Sequence, residues 1–408
     1  MTDGESAPAA QEPGGGLAEG GDELPLRVST LEIFFDLVFA FTLTQLTSVL
    51  ASHLSWLAVG QVLLVFGLLW WMYGAYAWLT NARPPVHTAE RLLLLVGMAG
   101  FLIVGLAIPR GFASYGLALG LGYLTVVIVH TWLYYRVNAN ILRVAPFNLA
   151  SALLVTVAGL LHGPDGAASP AAYALWIAAL VVQLGSPLIV HPGNLFHLRP
   201  AHFCERHSAL LIVAIGESVA AVGIGAAGPV SHGGSASWRL LASAILGLAV
   251  AAALWWIVFG AGDEERAVQV LSAVSSERRT ALALSAYFYG NIPLLLGLVA
   301  MAAEILRAVT QAAGQPAGSS AARLGQAAVL AVGAALFLGG DVTIRRQLRI
   351  GPIRLRAAAA VLALATMAVG ATVGLEAQLV LVAAVLVAPL IAEQGPAGGE
   401  PARADAAG

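Results

Sequence analysis

Glu32 and Asp36 stand one helical turn apart in Leu31-Glu32-Ile33-Phe34-Phe35-Asp36-Leu37-Val38-Phe39, a run whose other side chains belong in hydrocarbon. An ionised carboxylate inside a bilayer costs about 2.5–3.5 kcal/mol on insertion scales unless it finds a cation, a proton or water. The chemistry this pair could do is therefore to take up a proton or a small cation and lead it into a helical bundle. At about 100° per residue, Ser29, Glu32, Asp36 and Thr47 share one narrow stripe that must face protein or water. Glu32 is expected near the cytoplasmic headgroups, as an entrance or a solvated anchor. Asp36 lies a turn deeper, as part of a path or as a packing residue bonded to a neighbouring helix.

A third acid, Glu217, lies in Ala214-Ile215-Gly216-Glu217-Ser218, near the middle of another apolar segment. Its flanking alanines and glycines let a partner helix approach closely, so it needs a donor. Thr44, Gln45, Arg206 and His130 are the candidates. His130, one turn before Tyr134, is a candidate proton relay because imidazole titrates near neutrality, or else an interfacial anchor. Between these elements His191, His197, His202 and His207 cluster with Cys204 and Glu205. The types suit zinc, but neither a CxxC pair nor an HExxH helix is present. A cytoplasmic linker is expected instead, with Glu205 and Arg206 paired locally at the helix entrance and no metal.

The elements that position these groups follow from composition. With 59% hydrophobic and 10% charged residues and a mean hydropathy of +0.83, the chain reads as an integral membrane protein. A net charge of −2 gives no footprint for nucleic acid, and the lone Cys204 excludes an internal disulfide. Apolar segments of spanning length fall at 30–51, 56–80, 91–108, 113–135, 144–162, 170–191, 208–227, 238–262, 280–303, 324–341, 357–374 and 376–393. Residues 1–27 and 396–408 are too polar and glycine-rich to bury a core and are expected to be disordered tails. No basic stretch precedes a short apolar run at the start, so a cleaved signal peptide is not expected.

All positive charge is arginine, and twelve crossings sort it sharply. Arg110, Arg239, Arg307 and Arg323 fall on one side, and every other arginine on the side of the N-terminus. The positive-inside rule makes that side cytoplasmic, with both termini on it. Trp70, Trp71, Trp78, Trp132, Trp255 and Trp256 are expected in interfacial belts, Asp341 in i,i+4 pairs with the arginines that follow it, and the arginines through Arg356 chiefly as a topology signal.

An internal repeat is also expected. Asp36 with Trp70-Trp71 in the first and second segments is matched by Glu217 with Trp255-Trp256 in the seventh and eighth. Six helices separate the partners, so two six-helix halves, 28–200 and 201–395, would share one orientation and place one deep acid in each. The fold class expected is all-α, a polytopic bundle of about twelve helices. No Walker A, GxSxG or dinucleotide motif is present, and no cofactor is expected. The expected partners are the bilayer and a small ion or small-molecule substrate. Three functions remain open: a secondary transporter or channel using Glu32, Asp36, Glu217 and His130; a membrane-embedded enzyme acting on a lipid or prenyl substrate at the cytoplasmic face; or a non-catalytic membrane component.

Val28-Ser29-Thr30-Leu31-Glu32-Ile33-Phe34-Phe35-Asp36-Leu37-Val38-Phe39, Gln45-Leu46-Thr47, Glu205-Arg206-His207 and Ala214-Ile215-Gly216-Glu217-Ser218 resemble the signature stretches of the bacterial low temperature requirement A (LtrA) family. The resemblance implies a multi-pass protein of the bacterial inner membrane. It marks Glu32, Asp36, Glu205, Arg206 and Glu217 as motif positions.

Overall fold

The structure, a computed structural model, describes residues 27–190, 198–231, 237–314 and 319–393. The expected tails, and His191 and His197 of the histidine-rich stretch, lie outside the described residues. The helices are α1 (Thr30–Ser52), α2 (Trp56–Ala82), α3 (Thr88–Ala107), α4 (Gly116–Tyr135), α5 (Ala145–Ala158), α6 (Pro170–Ile189), α7 (Pro200–Ser231) and α8 (Trp238–Phe259). They continue with α9 (Asp263–Ser272), α10 (Ser276–Ala283), α11 (Gly290–Ala312), α12 (Ser320–Leu348), α13 (Arg354–Ala365), α14 (Met367–Thr372) and α15 (Leu375–Glu393). Among the described residues there is no strand beyond an isolated bridge between His162 and Ala168.

Eleven of the described segments are long and apolar enough to cross a bilayer, counting α8–α9, α10–α11 and α13–α14 as one each. The short apolar α5 makes the twelfth. At 1.5 Å per residue α5 reaches only about 21 Å, so it is shorter than the expected 144–162 segment and less than the hydrocarbon thickness. The last two crossings are separated by Gly374, whose φ of 140° is open to glycine and closed to almost every other residue. Serines start many of the helices. Ser29, Ser55, Ser169, Ser237 and Ser319 each stand at an N-cap and accept from a backbone N–H of the first turn, each worth about 1 kcal/mol.

In the first half α1 packs on α2 and α3, α3 on α4, α4 on α5, α5 on α6, and α6 returns to α2. In the second half α7 packs on α8 and α11, α11 on α12, α12 on α13, α13 on α15, and α15 returns to α8. The halves meet where α1 lies against both α7 and α11. Phe35 and Phe39 of α1 anchor an aromatic core with Trp70, Tyr73, Tyr76 and Phe101. Trp70 is buried and donates from Nε1 to the Phe288 carbonyl at 3.0 Å, so it is a seam residue rather than part of a belt. Trp132, Trp255 and Trp256 are exposed, as belt positions should be. Phe288 belongs to a π-helical turn, Leu284–Tyr289, that joins α10 to α11.

The α11–α12 seam is closed by small residues. A Cβ at Gly297 would meet the Gly333 carbonyl oxygen at 2.5 Å and the Phe337 nitrogen at 2.6 Å, both backbone atoms that cannot step aside. Gly297→Val is therefore expected to destabilise the bundle by about 1–3 kcal/mol or more through overpacking, seen as a lower melting temperature of the detergent-purified protein.

Candidate functional site

The site is built at the arginine-rich end of the α1–α7 seam. Ser29 caps α1, its Oγ accepting from the Glu32 N–H at 3.3 Å, while the Glu32 carboxylate accepts from the Ser29 N–H and Oγ, each at 2.9 Å. This reciprocal capping box fixes the Glu32 rotamer before any tertiary contact is made. Beyond it Asp36 falls one turn on, and the exposed Ile33, Phe34 and Leu37 occupy the lipid side as the stripe requires. Glu32 and Asp36 are 1% and 0% exposed. Glu32 is thus not the solvated rim anchor expected.

α7 begins at Pro200, well before the expected start at 208, because His202, Phe203, Arg206 and His207 are packed inside the bundle and need no apolar face. The expected linker with a local Glu205–Arg206 pair is therefore corrected. Glu205 instead accepts from the Val28 N–H at 3.1 Å, tying the two helix starts together. Arg206 turns inward. Its Nη1 donates to Glu32 Oε1 at 2.7 Å and to Thr80 Oγ1 at 2.5 Å, and its Nη2 to Asp36 Oδ1 at 3.3 Å. The guanidinium lies over the rings of Phe35 and Tyr73, 5.5 and 5.8 Å from their centroids, a geometry favourable for a cation. Tyr73 Oη donates to the same Asp36 oxygen at 3.0 Å.

Asn81 sets the histidine. Its Oδ1 accepts from the Arg199 N–H at 2.9 Å, which orients the amide, so its NH₂ faces His202 Nδ1 at 3.2 Å. Nδ1 is then the acceptor and Nε2 the N–H that meets Glu32 at 3.3 Å. The result is two carboxylates and one guanidinium in a buried, aromatic-walled site. The two carboxylates share one guanidinium, and Asp36 Oδ2 has no hydrogen-bond partner among the described residues.

Glu217 is a separate station. Thr44 Oγ1 donates to its Oε2 at 2.5 Å, and Oε1 has no partner among the described residues. Of the donors expected, Thr44 is the one found, and Arg206 serves α1 instead. Thr44 lies about two turns, ~12 Å, beyond Asp36 along α1. Asp36 and Glu217 are therefore not counterparts facing each other at one depth. The contacts that match α1 to α7 join Glu32 to Arg206 and Thr44 to Glu217, a parallel pairing.

Sequence reasoning missed one other group and read a second only in part. On α11 Glu304 is 0% exposed and ion-paired with Arg307, which also donates to the carbonyls of Leu50 and Ala51 at the end of α1. The i,i+3 spacing of Glu304 and Arg307 was the available signal. The second group is a network of Asp263, Asp341, Arg345, Arg356 and Glu393. Arg356 binds both Asp341 oxygens at 3.0 Å, the Glu393 carboxylate in a two-point fork at 3.0 and 3.1 Å, and the Ile257 carbonyl at 3.0 Å. Arg345 pairs with Asp341, as the spacing implied, and with Asp263. Arg356 is thus a buried structural tie rather than only a topology signal. With Arg266 on Asp263, three acids meet three arginines here, so charge balances and no ion is called for.

His130 is buried between the rings of Tyr76 and Tyr134, at centroid distances of 5.2 and 5.6 Å, rather than anchored at an interface. It joins none of the carboxylates. Of the histidine-rich stretch, His202 serves Glu32, and His207 bonds the Phe203 carbonyl at 2.8 Å. Among the described residues no three His, Cys, Asp or Glu side chains are grouped to hold a metal ion.

A bundle of this span count, sealed by buried ion pairs, defines a multi-pass α-helical membrane protein with polar stations along its central seam. Residues 27–391 match the family model described as bacterial low temperature requirement A protein (LtrA), and the chain belongs to that family. It is also similar to an uncharacterized protein of Rhizobium meliloti (strain 1021), 27% identical over 285 residues that cover 67% of each chain.

Proposed function

We propose that the chain is a secondary transporter or ion channel of the bacterial inner membrane, with both termini cytoplasmic, whose path follows α1 between the two halves. The observation that carries this reading is charge imbalance. Glu32 and Asp36 share one arginine, and among the described residues Glu217 has a hydroxyl as its partner. In the second-half cluster, by contrast, Asp263, Asp341 and Glu393 meet Arg266, Arg345 and Arg356. An uncompensated buried carboxylate calls for a proton or a cation. The two-repeat reading is supported by the recurring neighbour order, in which α1–α3 and α2–α6 contacts in one half correspond to α7–α11 and α8–α15 in the other.

Purified protein in liposomes is expected to carry an ion flux that Asp36→Asn and Glu217→Gln each reduce about a hundredfold or more, the scale of removing a proton-transfer group. Wild-type flux equal to that of empty liposomes under every imposed gradient would sink the proposal. The enzyme reading has one observation in its favour. An apolar cavity of about 140 Å³ between the halves is lined by Trp71, His130, Tyr134, Asn148 and Phe288 and could admit an acyl or prenyl chain. Among the described residues no carboxylate lines it, so none of them offers His130 an acidic partner for acid–base work.

A further inference from the structure

We infer that the translocated species is the proton and that Glu304 is its outer station. This rests on the transport reading above and names what moves.

Three acids follow α1 in order of depth. Asp36 sits near the arginine-rich end, Glu217 meets Thr44, and Glu304 is tied through Arg307 to Leu50 and Ala51. From Thr44 to Leu50 is about 9 Å along α1, so the acids are distributed over about 20 Å of a hydrocarbon core of ~30 Å. Each keeps one oxygen that is buried and has no hydrogen-bond partner among the described residues, Asp36 Oδ2, Glu217 Oε1 and Glu304 Oε2, as does Asp263 Oδ1 at the cavity on the arginine-rich side. A carboxyl oxygen left bare at this depth is a place for a hydrogen. A dehydrated metal cation needs several oxygens converging on one point, commonly six or so for hard cations. Beyond the Glu32–Asp36 pair the described carboxylates stand singly along α1, a spacing that suits a proton hop more than a carboxylate cage.

Arg307 gives Glu304 the means to change charge. Its guanidinium has three acceptors, namely the Glu304 carboxylate and the carbonyls of Leu50 and Ala51, which close the C-terminal end of α1. When Glu304 takes a proton, Arg307 still holds two carbonyls at the negative end of a helix dipole and is not orphaned. Arg206 offers no such slack, because its strongest partner is the carboxylate of Glu32.

The opposite approach is a cavity of about 180 Å³ whose lining includes Asp263, Glu264, Asp341, Arg345, Leu211 and Asn291. Asn291 is 0% exposed and neither atom of its side-chain amide has a partner among the described residues, so water in this cavity would find a donor and an acceptor at its wall. Leu211 precedes Glu217 by under two turns, about 9 Å along α7. The route runs from the vestibule and Asp36 at the arginine-rich end to Glu217, Glu304 and the exterior, with a proton handed between carboxyl oxygens through intervening water and no bond change elsewhere.

The test is full-length protein in liposomes with a trapped pH-sensitive dye and a potential set by potassium and valinomycin, with radioactive sodium and rubidium uptake measured in parallel. Potential-driven proton flux without sodium or rubidium uptake is expected. Glu304→Gln should lower it about a hundredfold, while Glu304→Asp, which keeps a protonatable oxygen and an anion for Arg307, retains it. Alkali-cation uptake without proton flux overturns the inference and leaves the transport reading intact. No flux of any ion overturns the transport reading itself. Folded Glu304→Gln with wild-type proton flux removes Glu304 from the route. If that variant does not reach the membrane, the wild-type comparison of protons with alkali cations still decides which species moves.

Discussion

Arg206→Ala is expected to cost about 3–5 kcal/mol, the range for removing one partner of a buried ion pair, and to leave little folded protein after detergent extraction. The arginine contributes hydrogen bonds to Glu32, Asp36 and Thr80 and stacks over Phe35 and Tyr73, so its loss strands two carboxylates that are 1% and 0% exposed. The penalty is the stranded charge more than the lost contacts. Neutralising the partners in the same molecule, as Glu32→Gln and Asp36→Asn together with Arg206→Met, should therefore recover most of the stability. Melting temperatures of single and triple variants check this. A triple variant no more stable than Arg206→Ala would show that packing, not charge, dominates.

Arg356→Ala is expected to match it in size, about 3–5 kcal/mol for the same reason. It removes the fork to Glu393, both bonds to Asp341 and the cap on the Ile257 carbonyl, five hydrogen bonds that fasten the ends of α8, α12, α13 and α15. The two arginines should part company in function. Arg356 holds Asp341, which with Arg345 lines the vestibule, so folded Arg356 variants, rescued by low temperature or by added stabilising substitutions, are expected to lose less flux per molecule than the about hundredfold loss of Glu217→Gln. Thermal melting measured beside reconstituted flux separates the two effects.

Much of the architecture was readable before any coordinate. Class, crossing number and the break at Gly374 followed from hydropathy and glycine, because lipid imposes a long apolar run on each span. The stripe of Glu32, Asp36 and Thr47 followed from helical geometry and is buried as expected, and Thr44 was among the donors considered for Glu217. What escaped were polar residues enclosed by other helices. A hydropathy window sees Pro200 to His207 as a loop, because it cannot distinguish water from a partner's carboxylate as the solvent of Arg206. The expected segment stopped at 303, one residue short of Glu304, whereas the helix runs on to Ala312 and carries the acid inside the bundle. Side-chain pairing across halves more than 170 residues apart in the chain, as between Thr44 and Glu217, is a property of the assembled bundle.

The π-helical turn at Leu284–Tyr289 also acts as a unit of angular bookkeeping. A π turn is an α-helix carrying one residue too many. Its wider ring turns the Phe288 carbonyl toward Trp70 of the other half. Everything beyond it, Asn291, Glu304 and Arg307 included, is rotated by about 100° from where an uninterrupted helix would carry it. A one-residue deletion in that turn would leave hydropathy and length almost untouched and would swing the outer acid away from α1. The azimuth of Glu304 is thus encoded some fifteen residues upstream of it, in a stretch with no charged group of its own.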